Sequence, residues 1–166
     1  ELVYVNCRLA NSSYKILAHL LGIRARGFSF EELAARFGDR YGPKTVVVLD
    51  EVDLIADRNM DILYFLSRSE AQYMTILLSN NPKWITGLDQ SVQSTLQPEP
   101  IYFRPYSAEE LREILCDRAN TAVGGAPDEV LGEIAALTAK MTDSDVRVAI
   151  KTLYYWAVEP ETTLRD

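Results

Sequence analysis

The sequence predicts an α/β fold in which a parallel sheet precedes a small all-helical subdomain. Segments rich in β-forming residues alternate with amphipathic helical segments as far as residue 106, and this alternation is typical of a layered sheet. The run at 45–49 is entirely β-branched or aliphatic, as in a parallel strand that is buried on both faces. Only helical periodicity remains after residue 106, so we assign 1–106 to the sheet domain and 107–166 to a helical one.

The individual elements are predicted from local signals. The predicted strands occupy 2–7, 45–49, 74–78 and 101–103, and two of the predicted helices occupy 13–21 and 59–68. Asn11 or Ser12 can cap the first helix, and Ser29 with Glu32 forms a capping box that begins another.

The helical subdomain is predicted from two further features. Ser107 and Glu110 form a capping box at the start of its first helix. After a break at 124–127, two helices share apolar residues at the spacing i, i+4, i+7 and i+11, which favours an antiparallel pair.

Composition excludes several classes of protein and site. The chain has 166 residues, 48% of them hydrophobic, which is enough to bury a core. Two cysteines and one histidine exclude a disulfide scaffold and a Cys/His zinc site. His19 lies in an apolar helical stretch, so we expect it to pack at the edge of the core rather than to act in catalysis.

Charge and hydropathy narrow the possible partners. The formal net charge of −7 excludes bulk electrostatic binding of nucleic acid, which would need a local basic patch. No apolar run could span a bilayer and no secretion signal is present, so we expect a cytoplasmic protein without a membrane partner.

The strongest chemical signal is the pair Asp50 and Glu51 directly after the buried strand at 45–49. Ligands of open α/β sheets bind at the carboxyl ends of the strands. There the first carboxylate can hold a hydrated Mg²⁺ on a nucleotide phosphate, and the second can polarise an attacking water. Two acids in a solvated loop are the alternative, because short motifs have many false positives.

Two weaker signals follow. Asn80 ends the strand at 74–78 and could orient a water or contact a phosphate, although Asn-Asn-Pro is also ordinary turn chemistry. Arg147, at the start of the last helix, could reach a phosphate, although a surface arginine is the simpler interpretation.

Together these motifs resemble the AAA+ ATPase module, and in particular the archaeal replication-initiator family related to the origin recognition complex and the cell-division-control loading factor. The resemblance rests on LDEVD at 49–53, DILYFLSR at 61–68, SNN at 79–81, FRPYSAEEL at 103–111 and SDVRVA at 144–149. It covers nearly the whole chain in a fixed order, which makes it more specific than any one motif.

The resemblance implies a role for each motif residue. Asp50 and Glu51 form the Walker B pair, with Asp50 holding Mg²⁺ through water, and Asn80 is sensor 1. Arg147 is sensor 2 in the helical lid, where it contacts the nucleotide. Tyr106 lies either near the adenine or in the core at the joint between the two domains.

The resemblance also implies a function. The chain would be a fragment of an ATP-dependent DNA replication initiator that binds double-stranded origin DNA and helps to load the replicative helicase. ATP or ADP with Mg²⁺ would be the cofactors of the parent protein. The alternatives are a degenerate AAA+ scaffold or adaptor without ATPase activity, and another AAA+ motor such as a clamp loader.

The segment 22–44 resembles the DNA-contacting insertion of the same family. It carries five basic and three acidic residues, a net charge of +2, whereas the rest of the chain carries −9. Arg24, Arg26 and Phe28 are the candidate DNA contacts. Phe28 could instead pack inward against its own helix.

The sequence departs from the family in several places. Only Gly22 and Gly27 have the G-x-x-x-x-G spacing of a phosphate-binding loop, and they follow a helix and precede no lysine. We therefore expect that loop upstream of Glu1, and the fragment by itself to bind no cofactor and to hydrolyse ATP negligibly. No arginine lies between Arg68 and Arg104, which puts stimulation of a neighbouring subunit in doubt.

Three smaller expectations follow from the same comparison with the family. Ser144 stands where a glycine is common, and a serine can cap a helix there. A winged-helix DNA-binding domain would follow the lid. The sheet would lack its central first strand, which leaves either a gap or self-association through unpaired strand edges.

Overall fold

The computed structural model describes residues 1–24, 26–56 and 60–158. The chain divides into two compact units, Glu1–Glu99 and Pro100–Asp166, and each is considered by itself. No helix of the described residues is long and apolar enough to cross a membrane.

The first unit contains a parallel sheet, as predicted, but it has three strands instead of the four expected. Its strands are β1 (Leu2–Asn6), β2 (Val46–Asp50) and β3 (Met74–Leu77), in the order β1-β2-β3. The register places Asn6 opposite Asp50 and Leu49 opposite Leu77. All three strands therefore end at the same edge of the sheet.

Four α-helices accompany the sheet: α1 (Ser13–Leu21), α2 (Phe30–Arg40), α3 (Asp61–Arg68) and α4 (Gln90–Leu96). Ser12 caps α1, and its side chain accepts a hydrogen bond from the backbone of Lys15. The capping box of Ser29 and Glu32 at the start of α2 is complete. Short 3-10 turns occupy Val52–Leu54 and Trp84–Gly87. The helix α4 was not expected from the sequence.

One face of the sheet packs against helices and the other is open. Val5, Val47 and Leu49 are fully buried in the core that includes α1, α2 and α3. Phe37 of α2 lies at the centre of an aromatic cluster with Tyr41, Phe65 and Tyr73. Alternate strand residues point to the opposite face, where Leu2, Tyr4, Met74, Ile76 and Leu78 are exposed.

Two expectations for this part of the chain are wrong. Residues 101–103 form no strand, and all three side chains are largely exposed. A short apolar segment becomes a strand only when a neighbouring strand supplies backbone partners, and the described sheet consists of β1, β2 and β3. His19 is exposed on the outer side of α1 instead of packing at the core edge.

The second unit consists of α5 (Ala108–Val123), α6 (Asp128–Met141) and α7 (Val146–Val158), which pack on one another. Its core is built on fully buried leucine, isoleucine and alanine side chains, among them Leu111, Leu115 and Ile134. The predicted capping box of Ser107 and Glu110 begins α5. Gly124 ends this helix in the left-handed conformation (φ 77°), which glycine adopts without a steric penalty.

Candidate functional site

Asp50 ends β2, and side chains from β1 surround its carboxylate. The Tyr4 hydroxyl donates to Oδ2 at 2.7 Å, and the Asn6 amide donates to the same oxygen at 3.1 Å. The backbone N–H of Glu51 donates to Oδ1 at 3.0 Å. The bond to Asp50 is the main cause that raises the pKa of Tyr4. These three donors fix the orientation of the half-buried carboxylate.

Glu51 leaves the strand in the left-handed region, with φ 53°. This conformation is uncommon for a residue with a side chain and turns the chain sharply away from β2. The Glu51 carboxylate accepts a hydrogen bond from Arg8 Nε at 2.6 Å, which forms an ion pair. Arg8 follows β1, so β1 supplies the partners of both acidic residues.

The ends of β2 and β3 are also joined. The Val52 amide donates to the Leu78 carbonyl at 3.0 Å, and the Ser79 hydroxyl donates to Asp53 Oδ1 at 2.7 Å. Asn80 is the next residue after Ser79, and its side chain is exposed. The fold therefore brings the Asp50–Glu51 pair and the Asn80 turn to the same edge of the sheet.

Sequence reasoning missed the side chains that hold this edge: Tyr4, Asn6, Arg8, Asp53 and Ser79. Of these, Asn6 could have been found by aligning the two predicted parallel strands, because Asn6 lies opposite Asp50 in that register. Nothing in the local sequence indicates the long-range partners, because Tyr4 and Asp50 are 46 residues apart.

The donor set at this edge is suited to a hydrated Mg²⁺. Oxygen ligands are those that Mg²⁺ prefers, and it is usually bound by one or two carboxylates together with water and phosphate oxygens. Asp50 is partly accessible and oriented, so its carboxylate can bind waters of a hydrated ion. Among the described residues no group of three or more metal-ligating side chains occurs, so a site formed by protein side chains alone is not indicated there.

Cys7 lies beside the same edge but is fully buried. Burial, with a smaller contribution from the negative charge of Asp50, raises the pKa of its thiol to about 12. The thiolate is the nucleophilic form of cysteine, so Cys7 acts as a small apolar core residue at neutral pH.

The candidate residues of the second unit lie around the start of α7. Arg147 is 91% exposed and forms an ion pair with Asp145 at 3.3 Å. Hydrogen bonds from Arg147 are the main cause that lowers the pKa of Asp145. The Ser144 hydroxyl donates to the Tyr106 carbonyl at 2.6 Å, and the Tyr106 side chain is about half exposed.

The candidate DNA contacts lie between α1 and α2. Arg24 and Arg26 are exposed, whereas Phe28 is half-buried against the core of the first unit. The Arg36 guanidinium lies 4.2 Å from the centre of the Phe28 ring, so a cation–π contact already occupies one face of that ring.

The glycine pair in this segment is explained by helix geometry. Gly22 ends α1 in the left-handed conformation (φ 68°), and its N–H donates to the helix carbonyls of Ala18 and His19. Gly22 therefore acts as a helix C-cap. This position is consistent with the interpretation that Gly22 and Gly27 share the spacing of a phosphate-binding loop without forming one.

Comparison with known proteins gives a consistent result. No protein-family model matches the chain. An ORC1-type DNA replication protein 1 from Sulfolobus acidocaldarius is 37% identical over 91% of this chain, which spans 42% of that relative. The structure of the Aeropyrum pernix ORC1 protein in complex with DNA matches with a TM-score of 0.75 and 28% identity, over 95% of this chain and 44% of the other.

Two further structures have the same fold. Cdc6p from Pyrobaculum aerophilum matches with a TM-score of 0.75 and 25% identity, over 95% of this chain and 47% of the other. The Aeropyrum pernix ORC2 protein, solved as ADPNP-ADP complexes, is 20% identical and matches in fold, with a TM-score of 0.69. The match covers 93% of this chain and 46% of that protein.

These findings confirm the predicted α/β class and the resemblance to archaeal Orc1 and Cdc6 proteins. The chain spans about two fifths of the length of the curated relatives that it matches. Its sequence and fold correspond to one part of those proteins.

Proposed function

Since the chain is homologous to part of the archaeal Orc1/Cdc6 DNA replication proteins, we propose that it belongs to the ATPase module of a replication initiator. In this proposal the module binds ATP with Mg²⁺ and the nucleotide state controls the binding of origin DNA. The observation that carries the proposal is the edge where β1, β2 and β3 end together. There the Asp50–Glu51 pair and Asn80 follow the ends of two neighbouring strands, which the bond from Ser79 to Asp53 also joins.

Each residue at this edge has a separate task in the proposal. Asp50, oriented by Tyr4 and Asn6, holds the waters of Mg²⁺. Glu51 polarises the attacking water, and Asn80 contacts that water or the terminal phosphate. When Mg²⁺ is bound, it neutralises charge on the phosphate oxygens.

The proposal assigns the nucleotide contacts of the helical unit to Arg147 and Tyr106. Arg147 is exposed at the start of α7, and its long side chain can exchange Asp145 for a phosphate. Tyr106 has a partly exposed ring that could stack on the adenine. The solved ADPNP-ADP complexes of the Aeropyrum pernix ORC2 protein support nucleotide binding by proteins of this fold.

The experiment that tests the ATP proposal joins this chain to an upstream segment with the G-x-x-x-x-G-K-[ST] pattern of a phosphate-binding loop. We expect this chimera to bind a fluorescent ATP analogue in the presence of Mg²⁺, and the 166-residue chain alone to bind it far more weakly. Glu51→Gln should abolish hydrolysis by the chimera but leave nucleotide binding in place. Turnover by the chain alone that Glu51→Gln abolishes would contradict the proposed position of the phosphate site.

We propose that Arg24 and Arg26 contact the DNA backbone, because both are exposed in the locally basic segment 22–44. The solved DNA complex of the Aeropyrum pernix ORC1 protein supports DNA binding by proteins of this fold. Replacing both arginines with alanine should weaken binding of a labelled duplex and lower the slope of log K against log salt by about 1 to 2. The matched control replaces Arg112 and Arg118, which are exposed in α5, with alanine.

Loading of the replicative helicase is a further part of the proposal, and a helicase-recruitment assay with the parent protein tests it.

The alternative of an inactive AAA+ scaffold predicts that the chimera binds nucleotide without hydrolysing it. A clamp loader or another AAA+ motor would act on a sliding clamp or a branched DNA instead of origin DNA. Competition between origin and branched duplexes distinguishes these possibilities.

A further inference from the structure

Ser144 joins the turn before α7 to a distant segment of the same unit. Its hydroxyl donates to the Tyr106 carbonyl at 2.6 Å, although the two residues are 38 positions apart in the chain. Ser144 is only 9% exposed, so the hydrogen bond is largely shielded from water and is stronger than one at the surface. This bond therefore attaches the backbone of Tyr106 to the turn that precedes α7.

The backbone at Ser144 has a conformation that a residue with a side chain rarely adopts. Its φ is 63°, and the φ of the preceding Asp143 is 52°, so both residues lie in the left-handed region. Glycine adopts this region without a steric penalty, whereas serine does not. Strain of this kind persists where the surrounding structure imposes it, often at functional sites. At Ser144 the hydrogen bond to Tyr106 accompanies the strain.

The hydroxyl of Ser144 is not used to cap α7. Asp145 is the residue directly before this helix, and its Oδ1 accepts the backbone N–H of Arg147 at 2.9 Å. The Asp145 carbonyl also accepts the amide of Ala149 at 3.2 Å. The capping role that a serine could have at this position therefore belongs to Asp145, and the Ser144 side chain contacts Tyr106 instead.

The residues on both sides of Tyr106 have a second attachment, to α5. The Arg104 guanidinium donates two hydrogen bonds to the Glu110 carboxylate, at 2.9 and 2.7 Å, and the Ser107 N–H donates to the same carboxylate at 2.8 Å. The Arg104 side chain is 71% exposed, and water weakens ion pairs at the surface. The buried bond from Ser144 is therefore the contact that sets the position of Tyr106 relative to α7.

We propose that Ser144 is a positioning residue that holds Tyr106 beside the start of α7, so that one nucleotide contacts both Tyr106 and Arg147. The inference rests on the proposed function, in which Tyr106 contacts the adenine and Arg147 a phosphate. Ser144 precedes α7 at the end of the helix that carries Arg147. Because the Tyr106 backbone is ordered before the nucleotide arrives, binding loses less conformational entropy.

The contact is tested by NMR on the 166-residue chain. Ser144→Gly removes the hydroxyl, and the variant should fold because glycine suits the left-handed backbone. The carbonyl-carbon resonance of Tyr106 should shift, since this carbonyl loses its hydrogen bond. The order parameter of the Tyr106 amide should fall below the value of about 0.85 that is typical of rigid backbone.

The matched control is Thr152→Ala, in α7. It also removes a hydroxyl that donates to a backbone carbonyl, that of Val148 at 3.0 Å, but this bond lies within one helix. The control should leave the resonance and the order parameter of Tyr106 unchanged. Unchanged values in Ser144→Gly would overturn the inference.

The positioning role is tested with the chimera that carries a phosphate-binding loop. Ser144→Gly should weaken the binding of ATP by about three- to tenfold, the effect of one hydrogen bond. Inorganic tripolyphosphate has no adenine, so its affinity should not change. Tyr106→Ala should also weaken ATP binding, and adding Ser144→Gly to it should have no further effect, because Ser144 acts through Tyr106.

The outcomes separate this inference from the proposed function. Equal ATP binding by the parent chimera and Ser144→Gly overturns the inference, as do additive losses in the double variant with Tyr106→Ala. Equal losses of ATP and tripolyphosphate binding also overturn it, because Ser144 would then only stabilise the helical unit. A parent chimera that binds neither ATP nor tripolyphosphate overturns the proposed function, and the positioning role with it.

Discussion

Asp50 and Glu51 in the first unit are held by Tyr4, Asn6 and Arg8, all contributed by a different strand or its continuation. Among the described residues, the side chain of Arg147 in the second unit is held only by Asp145, two residues before it in the chain. The acidic pair is therefore oriented by the tertiary structure of the sheet, whereas the arginine keeps the freedom of a long exposed side chain.

This difference suits the proposed tasks of the two regions. A carboxylate that positions a hydrated ion must be oriented in advance, because small displacements weaken catalysis strongly. An arginine that must reach a ligand benefits from exchanging one carboxylate for another anion.

The largest effect is expected at Phe37, whose fully buried ring supports the helices behind the strands. Phe37→Ala should lower the free energy of unfolding by about 3–5 kcal/mol, measured by urea denaturation and circular dichroism. Leu9→Ala, at a position that is 81% exposed, should change it by less than about 0.5 kcal/mol. Similar losses in the two variants would mean that the aromatic cluster does not stabilise the first unit.

Low pH should destabilise the second unit because Glu110 becomes protonated. Hydrogen bonds from Arg104 lower the pKa of Glu110 from an ordinary value of 4.5 to about 2. The stabilisation is therefore complete above pH 4.5 and is lost as pH falls toward 2. Glu110→Gln should reduce the loss of stability in urea titrations between pH 6 and 2, and Asp145, whose pKa is also lowered, accounts for a part that remains.

The control for this acid effect is Glu109→Gln, at the adjacent exposed position. It leaves the ion pair of Arg104 and Glu110 intact, so the loss of stability in acid should persist. Disappearance of the acid effect in this control would show that the pair is not its source.

High pH should lower the stability of the first unit because Tyr4 loses its proton. The hydrogen bond to Asp50 raises the pKa of Tyr4 above 10.0, so the folded state favours the protonated phenol. This contribution is present below pH 10 and is lost as pH rises through the raised pKa. The difference in melting temperature between the parent chain and Tyr4→Phe should therefore shrink as the pH rises above 10. Tyr102→Phe, at a position that is 74% exposed, should show no such trend.

The smallest effect on stability is expected at Arg147. Because its side chain is 91% exposed and its partner is local, Arg147→Ala should shift the melting temperature by less than about 2 °C. A larger loss in a thermal melt would mean that Arg147 supports the fold, and the contrast with the acidic pair would fail.

Local signals in the sequence predicted much of the structure. The caps at Ser29 and Ser107 were identified correctly, and Ser12 was one of the two candidates for the first helix, because a capping side chain acts within three residues of its partner. The strand that ends in Asp50 was also identified, because an unbroken aliphatic run is typical of a buried parallel strand. The missed helix α4 has few apolar residues, so its periodicity was weak.

The wrong strand at 101–103 shows where such reasoning stops. Isoleucine, tyrosine and phenylalanine favour strands, but a strand exists only if another strand receives its hydrogen bonds. That requirement concerns residues far away in the chain. The exposure of His19 has a similar cause, since the outer side of α1 depends on which helices pack against it.

The α/β class, the positions of the first helices and strands, and the acidic pair could be identified from the sequence, because each depends on residues close together in the chain. The side chains that hold that pair are defined by the tertiary structure. Tyr4, Asn6 and Arg8 reach Asp50 and Glu51 across more than forty residues of chain, through the register of two parallel strands.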